Sequence, residues 1–264
     1  MLKTENFQTY GWESAIRGMR NPMNSWEKSD TQYCTAYYND GKLGCRYCDY
    51  RHYNAECSKT CCGVMLGSND LDLMKRLRKG GPDDRKYLRQ IFVSVDITAP
   101  LYWWKEMDQY KVGTVTNSCS TMHKIASKEF TLEDFSYEHL TNQSINCLKN
   151  TIGLLNTYRA LYISKTDKRV DQFSVMSDDC YTEYKKSIWW QMIQLLPSSY
   201  NQKRTWTANY EVLCNIYNAR KNHKLDEWHT FCDAIANLPY AKELIIGGDT
   251  LEDMRKAVSR NDNT

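Results

Sequence analysis

The stretch from Ile91 to His123, IFVSVDITAPLYWWKEMDQYKVGTVTNSCSTMH, constrains the fold more than any other. Ile91, Val93, Val95 and Ile97 alternate with Phe92, Ser94 and Asp96, which predicts a strand with one strongly apolar face. Thr98-Ala99-Pro100 ends that strand, and Pro100 suits the opening of a helix. Trp103, Met107 and Tyr110 fall three or four apart, the spacing of one helical face. Lys111 then opens a loop rich in small polar side chains: Thr114, Thr116, Asn117, Ser118 and Ser120. Such a loop either offers hydrogen-bonding groups to a phosphate or a nucleobase edge, or is a capped surface turn.

A chain of 264 residues has room for one large domain or two small ones. No repeat, low-complexity tract or Pro/Gly-rich linker divides it, so a single domain over residues 1–264 is expected. The net charge of +3 gives no general attraction to nucleic acid or to a membrane surface, and neither partner is expected. No apolar run approaches the roughly 18 residues of a membrane span, and the first residues are too polar for a signal peptide. A cytoplasmic location with reduced thiols follows as the expectation. The 19 Tyr and 8 Trp serve either as stacking surfaces for a base or flavin, or as core and interface.

Eleven cysteines are many for such a compartment. Cys45, Cys48, Cys57 and Cys61, within a Cys-rich insertion over 45–62, have spacings that could grip a structural zinc ion. Unbound thiols and a disulfide or redox pair remain alternatives. Downstream, Ser68 or Asn69 can cap a helix whose stripe is Leu71, Met74 and Leu77. Lys75, Arg76, Arg78, Lys79, Arg85, Lys86 and Arg89 form a basic run, either a solvated face or a phosphate-binding one. Arg17 and Arg20, on an earlier short helix that breaks at Asn21-Pro22, pose the same choice. Ile145, Leu148, Ile152 and Leu155 mark an amphipathic helix, and a second is expected over 183–196. Leu225, Trp228, Cys232 and Ile235 form the stripe of a helix near the end.

Two segments together carry a family resemblance. The first is the strand-helix-loop above. The second is LLPSSYNQKRTWTANYEVLCNIYNARKNHKLDEW, with Leu196-Pro197, Trp206-Thr207-Ala208-Asn209 as a helix start, and Arg220. Together they resemble the flavin-dependent thymidylate synthases. Aligned on Ala99-Pro100, Gln109-Tyr110-Lys111 stand at the family's Arg-His-Arg signature, so only Lys111 keeps a charge. A charge-assisted hydrogen bond of the kind those arginines make is worth roughly 1.5–3 kcal/mol. Asp84 stands nearest a family histidine that helps hold flavin, Lys224 replaces another histidine, and Glu211 replaces a cation.

The resemblance implies an α+β fold with a mixed central sheet flanked by helices, assembled as a homotetramer. It implies methylation of dUMP to dTMP with methylenetetrahydrofolate, reduced FAD and NADPH. Residues it assigns to the substrate are Glu106, Gln109, Asn117, Cys119, Ser120 and Arg220. Those assigned to the flavin are Tyr110, Lys111, Val112, Asn209, Asn215 and Lys224. It names no catalytic side chain. The altered signature leaves a nucleotide-binding relative with a changed pyrimidine-modifying reaction, or none, as the alternative. A binding module built on the cysteine insertion and basic run is a third reading.

Overall fold

The structure, a computed structural model, describes residues 2–33, 63–164 and 177–247, and the backbone alone of 36–39 and 42–45. Cys48, Cys57 and Cys61 lie outside the described residues, and only the backbone of Cys45 is within them. The chain has the α+β class expected of it. Eight strands are described: β1 Lys3–Tyr10, β2 Gln32–Tyr33, β3 Ala36–Asn39, β4 Lys42–Cys45, β5 Val64–Met65, β6 Phe92–Pro100, β7 Val115–Ser118 and β8 Asn201–Asn209. The described helices are α1 Trp12–Arg20, α2 Ser68–Lys79, α3 Leu101–Met107, α4 Thr121–Lys124, α5 Asn142–Ile163, α6 Asp178–Leu195, α7 Tyr210–Arg220 and α8 Asp226–Ala236. Among the described residues no helix is long and apolar enough to cross a membrane.

The main sheet has the order β1-β6-β8-β7, and the pairs β2-β5 and β3-β4 form separate two-stranded ribbons. In β6 the alternation seen in the sequence becomes burial: Val93, Val95, Ile97 and Ala99 are enclosed, and the residues between them are partly open. Ser94 bonds Thr207 and Asp96 bonds Thr205, so numbers rise along β6 as they fall along β8. These two strands are therefore antiparallel.

By density of packing the chain divides into two compact units. One holds Met1–Lys3, Ile97–Gln109 and Asn117–Arg204. Its core includes Ile125, Phe130, Phe135, Leu148, Ile152, Leu155 and Met192, where α5 and α6 pack as a hairpin. Leu148, Ile152 and Leu155 of the expected α5 stripe are thus buried, and Ile145 is half-buried. Phe130, Phe135 and Tyr200 meet edge-on or tilted within it.

The other unit holds Thr4–Asp96, Tyr110–Thr116 and Thr205–Thr264. Trp12 meets Tyr210 and Tyr240 edge-on in its core, and Met74, Leu213, Trp228, Phe231 and Ile235 are fully enclosed. Arg20, which could have met an anionic ligand, is buried in an ion pair. Its Nε donates to Asp70 at 2.7 Å, with the two side chains 4% and 0% exposed. Asp70 also accepts from Ser29, Thr31 and the Asp30 backbone, while Arg20 donates to the Ser25 and Lys28 carbonyls. The clamp ties α1 and α2 to the 25–31 segment. Arg17 is exposed beside Glu13.

Two expectations change. Trp206 to Ala208 lie in strand β8 rather than in a helix start, because Gln202, Trp206 and Ala208 alternate inward at strand spacing, while Asn209, the last residue of the strand, caps the helix that follows. The polar loop after Lys111 is a short turn followed by β7, whose four residues are all exposed. As an edge strand of Val115, Thr116, Asn117 and Ser118, β7 carries no apolar alternation to betray it.

Candidate functional site

In the unit built on α7, the turn that starts at Tyr110 lies along that helix. Asn209 caps α7, its side chain accepting from the Val212 amide at 3.0 Å. Gly113 has φ 72°, and a Cβ there would stand 3.1 Å from Val212 and 3.2 Å from the Asn209 amide nitrogen. Glycine thus supplies both the left-handed backbone and the close approach to the first turn of α7. The Thr114 hydroxyl donates to the Tyr110 carbonyl and closes the turn. At the other end of the helix, Arg220 donates from Nε to the Tyr110 hydroxyl at 2.9 Å. Its guanidinium lies 4.6 Å from the Trp228 ring centre and 5.6 Å from that of Tyr110.

Tyr110, Asn209 and Arg220, far apart in sequence, are therefore gathered around one helix. Lys111 and Val112, within the turn, are exposed, Val112 by 88%. Asn215, on α7, and Lys224, just after it, also face solvent.

Glu106, Gln109, Asn117, Cys119 and Ser120 belong to the other unit. There the Gln109 amide donates back to the Lys105 carbonyl at the end of α3. Ser120 caps α4, accepting from the His123 amide at 3.1 Å. Cys119 is exposed, and its backbone pairs with Lys203 and with the Gln202 side chain. A cation the sequence did not suggest lies beside them. Arg204 reaches Asp108 at 2.8 Å and Gln202 at 2.9 Å, and stacks 4.2 Å from the Trp104 ring centre. Asp108 and Arg204 are nearly a hundred residues apart, which no local spacing reveals.

The α7 unit also contains a cleft of about 1440 Å³. The end of α1, one face of α2, the turn with Asp84 and Lys86, and Lys242 line it. The structure sorts the basic run. Arg78 donates to the Leu244 and Ile245 carbonyls, and Arg85 pairs with Glu211 at 2.9 Å. Lys75, Arg76, Lys79 and Lys86 line the cleft, and so does Arg78. Glu211, at a position where the resemblance has a cation, is answered by Arg85, so the one charge neutralises the other.

No protein-family model and no curated protein sequence matches the chain. Solved structures do match. A crystal structure of thymidylate synthase X (ThyX) from Helicobacter pylori, with FAD and dUMP, has a TM-score of 0.53 and 14% identity, covering 93% of this chain and 97% of that one. A second structure, of the flavin-dependent thymidylate synthase ThyX of the same organism complexed with FAD and dUMP, gives 0.52 and 14%, covering 91% and 98%. At that identity the likeness establishes the fold: this chain is built as those flavin-dependent thymidylate synthases are built.

Proposed function

We propose that the chain is a flavin-dependent thymidylate synthase-type enzyme, binding FAD and a pyrimidine nucleotide and converting dUMP to dTMP. The carrying observation is the fold shared along nearly the whole chain, with the Tyr110 turn set against Asn209 and Arg220 within one unit. The cleft supports FAD by the chemistry of its lining. It joins the Asp84 turn, nearest the family histidine that helps hold flavin, to cations that suit a pyrophosphate.

When bound, reduced FAD supplies the hydride, methylenetetrahydrofolate the one-carbon unit and NADPH the reducing equivalents. The protein's part is to hold and orient. Arg220, on its aromatic bed, offers a planar cation to the anionic nucleotide. Lys111 and the amides of Asn209 and Asn215 hold the flavin. Glu106, Gln109 and the 117–120 segment are the other residues that the resemblance gives to the nucleotide, and the enzyme is a homotetramer located in the cytoplasm.

The test is an absorbance spectrum of the purified protein with and without added FAD and dUMP, followed by an assay for dTMP. A flavin spectrum perturbed by dUMP, and dTMP formed, is the expected result. Protein that stays colourless after FAD addition and forms no dTMP refutes the proposal. The Arg85–Glu211 pair favours a second reading, in which the same fold acts on another pyrimidine nucleotide or on none, because it removes a cation from ligand binding. A thermal-shift screen of pyrimidine nucleotides separates the two, and preference for dUMP alone rejects the second.

A further inference from the structure

We infer that the cleft of the α7 unit is a docking groove for an acidic peptide, and that its occupant is the chain's own stretch Asp249–Asp253, which competes there with any other anion. The docking needs neither flavin nor nucleotide, so it stands or falls apart from the reaction proposed above. The point at which the chain reaches the cleft wall is fixed. Arg78, on α2, donates from Nε to the Leu244 carbonyl at 2.8 Å and from Nη2 to the Ile245 carbonyl at 2.7 Å. Gly247 ends the helical turn Lys242–Ile246, its amide donating to the Lys242 carbonyl at 3.0 Å. Its φ of 69° is left-handed, and a Cβ there would overlap the Arg78 guanidinium, so glycine is what lets the backbone lie against that cation. Gly247 and Arg78 both line the cleft, and Lys75, three residues before Arg78, shares its face of α2.

After Gly247, the last of the described residues, the sequence reads Gly248-Asp249-Thr250-Leu251-Glu252-Asp253, with three carboxylates in its last five residues. At no more than about 3.6 Å per residue, Asp249 stays within about 7 Å of Gly247 and Asp253 within about 22 Å. Helix α2, one wall of the cleft, is 12 residues and so about 18 Å long, which puts its cations within that reach. Besides Arg20, which Asp70 holds, the described lining has seven Lys and Arg against the four carboxylates of Asp72, Asp83, Asp84 and Glu243. Arg255 and Lys256, just past the acidic stretch, have the sign those four accept. The volume of about 1440 Å³ exceeds the roughly 300–1,000 Å³ of a small-molecule pocket and suits a length of chain. A short tether also keeps the segment at an effective concentration on the order of millimolar, so contacts too weak for a free peptide suffice.

The experiment couples carboxylates to lysines in the ligand-free full chain with a zero-length carbodiimide and maps the joined peptides by mass spectrometry. Ordinary and nitrogen-15-labelled chains are mixed, which separates links within a chain from links between chains. The expected result is within-chain links from Asp249, Glu252 or Asp253 to Lys75, Lys79 or Lys86, lost at about 1 M salt. No such links, or links only between chains, overturn the assignment. Inorganic pyrophosphate, titrated by calorimetry, reads the competition. A cleft open one-tenth of the time binds a ligand about tenfold more weakly, so the triple change Asp249→Asn, Glu252→Gln and Asp253→Asn should tighten pyrophosphate about tenfold. Adding Lys75→Gln and Lys86→Gln should cancel that gain, and a thermal melt confirms that each variant folds. Equal pyrophosphate binding by wild type and triple variant, or a gain that survives loss of the two lysines, overturns the competition. Failure to bind FAD or dUMP would refute the reaction proposed above and leave the cross-links to judge the docking.

Discussion

Asp70 shows how much a single buried charge can organise. Burial opposes its ionised form, yet hydrogen bonds from Thr31, Ser29 and Arg20 outweigh that and hold its carboxyl below the ordinary carboxylate value. Leaving Arg20 without this partner in Asp70→Asn should cost about 3 kcal/mol, read from the midpoint of urea unfolding. The pH dependence has a definite sign. A carboxyl whose folded pKa lies below its unfolded value of about 3.9 stabilises the protein above that pH. The gain disappears as pH falls through the folded pKa. The stability gap between wild type and Asp70→Asn should therefore be constant near neutrality and narrow below about pH 4. A gap that persists unchanged at pH 2 would show that packing, not charge, is the cause. Neither this clamp nor the Arg85–Glu211 and Arg204–Asp108 pairs could be read from spacing. Each joins residues from 50 to 126 positions apart, and a lone Arg looks alike whether it faces a ligand or a carboxylate.

Elements were legible where burial is one-sided and periodic. The stripes of α5 and α8 and the alternation of β6 emerge as core because each has one enclosed face. Strands β1 and β7 stand at the two edges of the sheet and β8 mixes polar and apolar residues, so their pairing partners, not their own patterns, define them. Helix ends show the same dependence on partners. The Lys185 ammonium, on α6, donates to the carbonyls of Leu161, Tyr162 and Ser164, the open end of α5. Lys185→Met should leave those carbonyls to water and destabilise the hairpin by about 1 kcal/mol. Hydrogen exchange should quicken in the last turn of α5 more than in its middle. Equal acceleration along the helix would instead mean a global loss of stability.

At the scale of the molecule, the charge balance decides where an anion can be held. With 35 Lys and Arg against 32 Asp and Glu, the whole chain exerts little long-range pull on a dinucleotide. Binding must then come from a local excess of cations, and the cleft of the α7 unit has one: Lys28, Lys75, Arg76, Lys86 and Lys242 are among its lining, beside the carboxylates of Asp72, Asp83, Asp84 and Glu243. A ligand present at a hundred times its dissociation constant stabilises the folded state by about 2.7 kcal/mol. For a chain of this size that corresponds to a rise of roughly 5 °C or more in the unfolding temperature. If the cleft holds the pyrophosphate of FAD, FAD should produce that rise, and riboflavin, which has the ring but no phosphate, should produce much less. The double change Lys75→Gln and Lys86→Gln should shrink the FAD shift while leaving the ligand-free melt close to wild type, since neither lysine is enclosed in the core. Riboflavin matching FAD, or a double variant that keeps the full shift, would mean that the cations of this cleft do not hold the cofactor.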